Sequence, residues 1–241
     1  MHLATCRTGK VFILYDADSV CDANLTPQIT PQLFSPRHWR EKGRVVGEAP
    51  GRGSSLFLDA DGAQWVLRPY RRGGLMARLA KQRYLWTGLE RTRAFRELRL
   101  TAELYAQDLP VPRPVAAAVT RHGPSYEAAL ITVRIPGALS LADRLIEDRT
   151  SDTLLEAVGR TIRRFHDAGL DHVDLNARNL LVDAQEQVWL IDLDRCRLRQ
   201  AGSWQEANLR RLDRSLEKFG ASEAGSRIRR GYADDSTVWR G

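Results

Sequence analysis

Cysteine is scarce in this chain. There are three in 241 residues, Cys6, Cys21 and Cys196, far apart and without a CxxC. That excludes a disulfide framework, argues against a zinc site and points to a reducing compartment. Long hydrophobic runs are missing too. The apolar VFILY near the N-terminus is far shorter than a signal-peptide core or a bilayer span. The expectation is a cytosolic protein, at most bound to a membrane surface. No internal repeat or low-complexity tract occurs. Acidic residues are outnumbered, 30 against 37 basic ones, for a net charge of +7 and a pI near 9.7. Such a chain is drawn to polyanions: nucleic acid, an anionic membrane or a phosphorylated substrate.

What is present is ordinary globular material. Apolar residues make up 43% and charged residues 28%, enough to bury a core, and the length accommodates two small lobes sharing a cleft. The basic excess is local. Between Arg68 and Arg99 stand Arg71, Arg72, Arg78, Lys81, Arg83, Arg91, Arg93 and Arg96, against only Glu90 and Glu97. This is either a solvated helix face or a docking surface for an anionic partner.

Along the chain, residues 1–43 are an extension with one short strand, VFILY. Pro27, Pro31 and Pro36 predict extended or looped backbone after it, with Trp39 as an anchor. RVVGE, SSLFLD and QWVLRPY read as three strands, the last two joined by the turn Ala60-Asp61-Gly62. A basic helix follows, ending near Asp108, where Leu109-Pro110 stops it. VAAAVT and EAALITV are two further strands. Ser140 and Asp143 predict a capped short helix, and Leu154, Leu155, Val158, Ile162 and Phe165 line one face of a longer one that Gly169 ends. After a polar loop come the strands NLLVD and QVWLID. Leu209, Leu212, Leu216 and Phe219 mark a last helix, and the tail from Ala221 reads as loose.

The polar loop carries the chemistry. It runs His172-Val-Asp174-Leu-Asn-Ala-Arg-Asn179, and the second strand after it ends in Asp192-Leu-Asp194. Phosphoryl transfer from ATP needs an in-line acceptor hydroxyl, metal ions on the phosphates and cations on the developing charge. Asp174 suits the base that accepts the hydroxyl proton. Asn179 and Asp192 offer oxygen ligands to Mg2+. This is the H-x-D-L-x-x-x-N then D-x-x pattern of protein-kinase-like enzymes, and three strands, a helix, two strands and then helices is their element order. It predicts an α+β, protein-kinase-like two-lobe fold. After the extension, residues 44–133 would form a small antiparallel lobe with one helix, and 134–241 a reduced, mainly helical lobe.

That order predicts a basic, cationic residue on the third strand paired with a Glu on the helix. The chain offers Arg68, where lysine is usual, and Glu97. A guanidinium grips phosphate or carboxylate in a bidentate way but is larger. Either Arg68 meets the ATP phosphates differently or it only braces the helix. Gly51, Gly53, Ser54 and Ser55 stand where a phosphate-covering loop belongs, although the turn is not a full G-x-G-x-x-G. His172 is expected to brace the loop backbone, Arg178 to be solvated and His166 to pack.

The segments VLRPYRRGG, AFRELRL, RIPGALSLADRL, HVDLNARNLLV, LIDLDR and NLRRLDRSLEK resemble the lipopolysaccharide core kinases, and the early FILYD and FSPRHW extend the likeness over most of the chain. No A-P-E motif follows Asp194, in keeping with an acceptor that is not a peptide. The resemblance implies transfer of the ATP γ-phosphate to the 4-hydroxyl of a 3-deoxy-D-manno-octulosonic acid (Kdo) residue on a lipid A precursor. It places the protein at the cytoplasmic face of a Gram-negative inner membrane, where segment 68–99 would meet the anionic surface. The alternatives are a heptose kinase of the same core, or a small protein kinase of the atypical RIO type. A nucleic-acid binder with a degenerate kinase fold would have no need of Asp174, Asn179 and Asp192 together, and no nucleic acid is expected as a partner.

Overall fold

A computed structural model describes residues 1–20, 28–49, 55–70 and 83–234, in an α+β arrangement of two compact units.

The first unit comprises Met1–Ala106 and Pro112–Arg134. Its strands are β1 (Leu3–Thr8), β2 (Val11–Asp16), β3 (Val45–Glu48), β4 (Leu56–Ala60), β5 (Ala63–Pro69), β6 (Tyr84–Leu85), β7 (Pro114–His122) and β8 (Ser125–Val133). They form one antiparallel sheet in the order β1-β2-β7-β8-β5-β4-β3, with β6 also on β8. Alternation of side chains across the pleat builds two cores. Ile13, Tyr15, Ala116, Ala118, Leu67 and Ile131 face one side, with Trp39 and Ile29. Leu14, Ala117, Val119 and Leu130 face the other, against Phe95 and Leu98 of the helix α3 (Arg93–Ala106). Both faces of β2 and β7 are therefore covered, which is why these strands read as near-continuous apolar runs.

Residues 1–43 are more regular than expected. The strand read at VFILY pairs with β7, and LATCRT, whose half-exposed polar pattern gives no strand periodicity, pairs with it across the turn at Gly9-Lys10. Ala17–Val20 forms the short helix α1. Pro31 and Pro36 do not mark loop: each sits at the start of a helical turn, a 3-10 turn (Pro31–Phe34) and α2 (Pro36–Glu41). A first-turn position costs proline nothing, because its missing N–H has no intrahelical partner. Trp39 is buried and donates from Nε1 to Leu33 O (2.8 Å).

The second unit comprises Gln107–Val111 and the chain from Ile135 onward. β9 (Leu139–Ser140) leads into α4 (Leu141–Ile146), whose Ser140 cap accepts from Asp143 N (3.1 Å). The longer helix α5 (Asp152–Asp167) buries Leu154, Leu155, Val158, Ile162 and Phe165, and Gly169, with φ +82°, turns the chain away. β10 (Leu170–Asp171), β11 (Leu180–Val182), β12 (Val188–Leu190) and β13 (Arg197–Leu198) follow, then α6 (Ser203–Glu217). β11 lies between β12 and β9, and β10 pairs with β13.

The expectation of a loose tail is corrected here: Ala224–Ala233 forms α7 and buries Ile228. It lies against α5 at backbone contact. A Cβ on Gly159 would stand 2.0 Å from Ile228 O, and one on Gly231 2.0 Å from Glu156 O. His166 lies between the rings of Trp204 and Tyr232 and shares a hydrogen bond with Tyr232 Oη (2.8 Å). Burial pushes its pKa down to about 4, so it is neutral packing.

Candidate active site

The loop 172–179 joins β10 to β11 and is tied down at both ends. His172 is buried, and its Nε2–H donates to Ile191 O (3.1 Å). Burial depresses its pKa and keeps the ring neutral, a brace rather than an acid. The His172 N–H donates to Asn208 Oδ1 (3.0 Å), while Asn208 Nδ2 donates to Asp171 Oδ1 (3.2 Å). Arg199 Nη1 (3.0 Å) and Arg197 Nε (3.4 Å) donate to Asp171 Oδ2. Burial works to raise the Asp171 pKa, but the bonds from Arg199, Asn208 and Arg197 outweigh it and hold the carboxyl below its usual range. Further along, Ala177 N–H donates to Ser215 Oγ (3.1 Å), and Ala142 N–H of α4 donates to Ala177 O (3.0 Å).

Within this frame Asp174 projects its carboxylate outward, with 63% of the side chain exposed. Its backbone carbonyl is gripped twice, by Asn176 Nδ2 (2.8 Å) and Asn179 Nδ2 (3.0 Å). A carboxylate on a braced loop is what a general base requires: fixed position, open access. Asn179 spends its amide nitrogen on the loop. Ile191 N–H donates to Asn179 O (3.0 Å), which brings Asp192 to the position next to this pairing. Asp192 itself, two residues past the end of β12, has φ +61°, a left-handed backbone that Asp tolerates better than most residues. Cys196 Sγ lies 3.7 Å from Asp194 O, in the turn that continues from Asp192.

Arg68 and Glu97 lie in the other unit and are brought together there. Arg68 is on β5 beside Leu130, Glu97 on α3. Arg68 Nη2 donates to Glu97 Oε1, and Tyr70 Oη donates to Glu97 Oε2. The Arg68 guanidinium also sits 4.8 Å from the Tyr70 ring centroid. Glu97 is 4% exposed, so a charge there requires partners of this kind. Ser55 O accepts from Ala49 N–H (2.9 Å). Gly51, Gly53 and Ser54 lie outside the described residues, as do Arg71, Arg72, Arg78 and Lys81 of the basic segment. Within that segment Arg83 pairs with Glu127 (3.6 Å) and Arg99 with Glu90 (2.8 Å).

The sequence reading passed over Asp171, Asn208, Arg211 and Ser215. Asn208, Arg211 and Ser215 are spaced i, i+3, i+7 on α6 and meet the loop at His172, Asp174 and Ala177; Arg211 Nη1 stands 3.8 Å from Asp174 Oδ1. The available signal was two small polar residues interrupting the apolar face of a helix, since buried polar side chains need partners.

Comparison with known proteins covers most of the chain. The family model described as "Lipopolysaccharide kinase (Kdo/WaaP) family" matches residues 37–232. A protein of Stenotrophomonas maltophilia (strain K279a) named 3-deoxy-D-manno-octulosonic acid kinase is 46% identical over 235 residues, covering 96% of this chain and 91% of that one. Proteins of the same name from Xanthomonas campestris pv. campestris (strain B100) and Vibrio cholerae serotype O1 are 48% identical over 234 residues and 44% identical over 187. They cover 95% and 78% of this chain, and 90% and 80% of their own.

Proposed function

The chain belongs to the lipopolysaccharide kinase (Kdo/WaaP) family, and from that premise we propose that it transfers the γ-phosphate of ATP to the 4-hydroxyl of a Kdo residue on a lipid A precursor. It is a kinase that acts in building the lipopolysaccharide inner core. The observation that carries the site assignment is the Asp174 carboxylate, open to solvent while its backbone is held by Asn176 and Asn179.

In this reading Asp174 accepts the proton of the Kdo 4-hydroxyl as its oxygen attacks the γ-phosphorus, and ADP departs with the bridging oxygen. Asn179 and Asp192 present only oxygen donors, which fits Mg2+, a hard cation that binds through one or two protein ligands plus phosphate oxygens and, when bound, neutralises phosphate charge. Arg68, held by Glu97, would supply a fixed cation to the phosphates, with Gly51, Gly53, Ser54 and Ser55 covering them. Residues 44–133 then act as the ATP-phosphate lobe carrying the 1–43 extension, and 134–241 as the reduced catalytic lobe. With a glycolipid acceptor, the protein would work peripherally at the cytoplasmic face of the inner membrane, its basic segment 68–99 against the anionic surface. No described helix is long and apolar enough to cross a membrane.

The test offers two acceptors, a Kdo-bearing lipid A precursor and a heptose-bearing core glycolipid, with ATP and magnesium, and follows product mass. Gain of one phosphate on the Kdo acceptor alone is expected. Gain on the heptose acceptor alone would transfer the reading to a heptose kinase.

A further inference from the structure

The named acceptor poses an electrostatic problem. An ulosonic acid carries its carboxylate on C2, and the 4-hydroxyl is two ring carbons away, in a 1,3 relation. When that hydroxyl reaches Asp174, the sugar carboxylate comes to the neighbourhood of the Asp174 carboxylate. Two like charges in so small a space repel unless a cation stands with them.

Arg211 is the cation at that place. It projects from α6 toward the loop; its side chain is 48% exposed and its Nη1 lies 3.8 Å from Asp174 Oδ1. That separation makes an ion pair but exceeds a hydrogen bond, so the guanidinium donors are not committed to Asp174. Its helix neighbours fix where it stands. Asn208, one turn before, and Ser215, one turn after, are both bonded to the backbone of the loop. Three other arginines near the loop are occupied: Arg197 and Arg199 bind Asp171, and Arg178 lies 5.5 Å over the Phe219 ring. Arg214 and Lys218, exposed and three and seven residues beyond Arg211, continue the positive row along the same side of the chain.

Resting on the Kdo reading above, we infer that Arg211 is the carboxylate-binding residue of the acceptor site, clamping the sugar acid through its guanidinium while that acid's 4-hydroxyl meets Asp174. It thereby selects an acidic sugar over a neutral heptose, because a guanidinium recognises a carboxylate by paired, charge-assisted hydrogen bonds that a hydroxyl does not reproduce.

Steady-state kinetics decide it, with wild type, Arg211→Ala and Arg211→Lys on two acceptors: the Kdo-bearing lipid A precursor and the same molecule with the Kdo carboxylate converted to a primary carboxamide. Arg211→Ala should raise the KM for the acid acceptor about 10- to 100-fold, the span of a lost charge-assisted pair, with the KM for ATP unchanged. The carboxamide should cost wild type a similar factor and cost Arg211→Ala nothing more; Arg211→Lys should recover part of the loss. Equal losses by Arg211→Ala on both acceptors, or a loss confined to kcat, would overturn the inference and leave Arg211 acting on Asp174 alone. Wild-type turnover of Kdo with Arg211→Ala unaffected sinks this inference and spares the Kdo reading. Failure of wild type to phosphorylate Kdo overturns both.

Discussion

Gly159→Ala should weaken the docking of α7 on α5, because the added methyl has nowhere to go. Its Cβ would lie 2.0 Å from Ile228 O, 2.6 Å from Tyr232 N and 2.9 Å from Gly231 C. All three are backbone atoms, so no side chain can rotate away, and relief requires the helices to part by an ångström or more. Overpacking of this kind costs about 1–3 kcal/mol and sometimes more. Parting the helices also uncovers Ile228, whose burial is worth roughly 1.5–3 kcal/mol. Against this, alanine gains up to about 1 kcal/mol over glycine within a helix. A net destabilisation of about 2–3 kcal/mol follows from these terms. The assay is urea unfolding of the intact chain, read as the midpoint at constant slope. Gly225→Ala in α7 is the control: its Cβ would meet the Asp213 carboxylate oxygen at 2.9 Å, a side chain that can turn, and should cost less than about 1 kcal/mol. If Gly159→Ala unfolds no earlier than wild type, the backbone contact between α5 and α7 does not exist.

Two further outcomes follow from buried charge. Arg68→Ala takes the guanidinium away from buried Glu97 and should cost about 3 kcal/mol, the lower end for breaking a buried pair, while Glu97→Gln with Arg68→Ala together should cost less than the single change; urea unfolding of the two variants beside wild type checks this. His166, neutral in the fold with a pKa near 4, protonates at its ordinary value in the unfolded chain. The unfolded state therefore binds more protons between about pH 6.5 and 4, and stability falls as pH falls through that window by about 3 kcal/mol. The slope should be shallower in His166→Gln over the same range, with buried His172 contributing in the same direction to what remains; an identical slope would contradict the assignment.

Much of the fold was legible because the strands of the first sheet and the long helices alternate or repeat over enough residues to declare themselves. β5, β7, β8 and α5 fall where periodicity and breakers place them, whereas the basic helix is shorter than expected: it begins at Arg93, after the strand β6 and a 3-10 turn at Leu89–Arg91. What escaped has a physical reason in each case. LATCRT lies at the sheet edge and is too polar to alternate visibly. Pro31 and Pro36 read as breakers because proline signals both a loop and a helix start; Ser35 caps the helix at Pro36, while Thr30 gives the turn at Pro31 no side-chain cap. α7 carries three arginines and two glycines in ten residues, a composition that reads as coil until Gly159 supplies the groove that accepts it. Within the site, residues that carry chemistry in their own type and spacing, Asp174, Asn179 and Asp192, stood out at once. Asp171, Asn208 and Ser215 did not, because their part is to hold backbone, and the loop they hold is distant in sequence from α6.

The most direct measurement is tandem mass spectrometry of the Kdo-bearing lipid A precursor after incubation with ATP and magnesium, comparing wild type with Asp174→Ala. One phosphate on the Kdo 4-oxygen from wild type, and none above background from Asp174→Ala, is the predicted result. Phosphate at another position, or an Asp174→Ala protein that still delivers it to the 4-oxygen at the wild-type rate, would contradict the account at its centre.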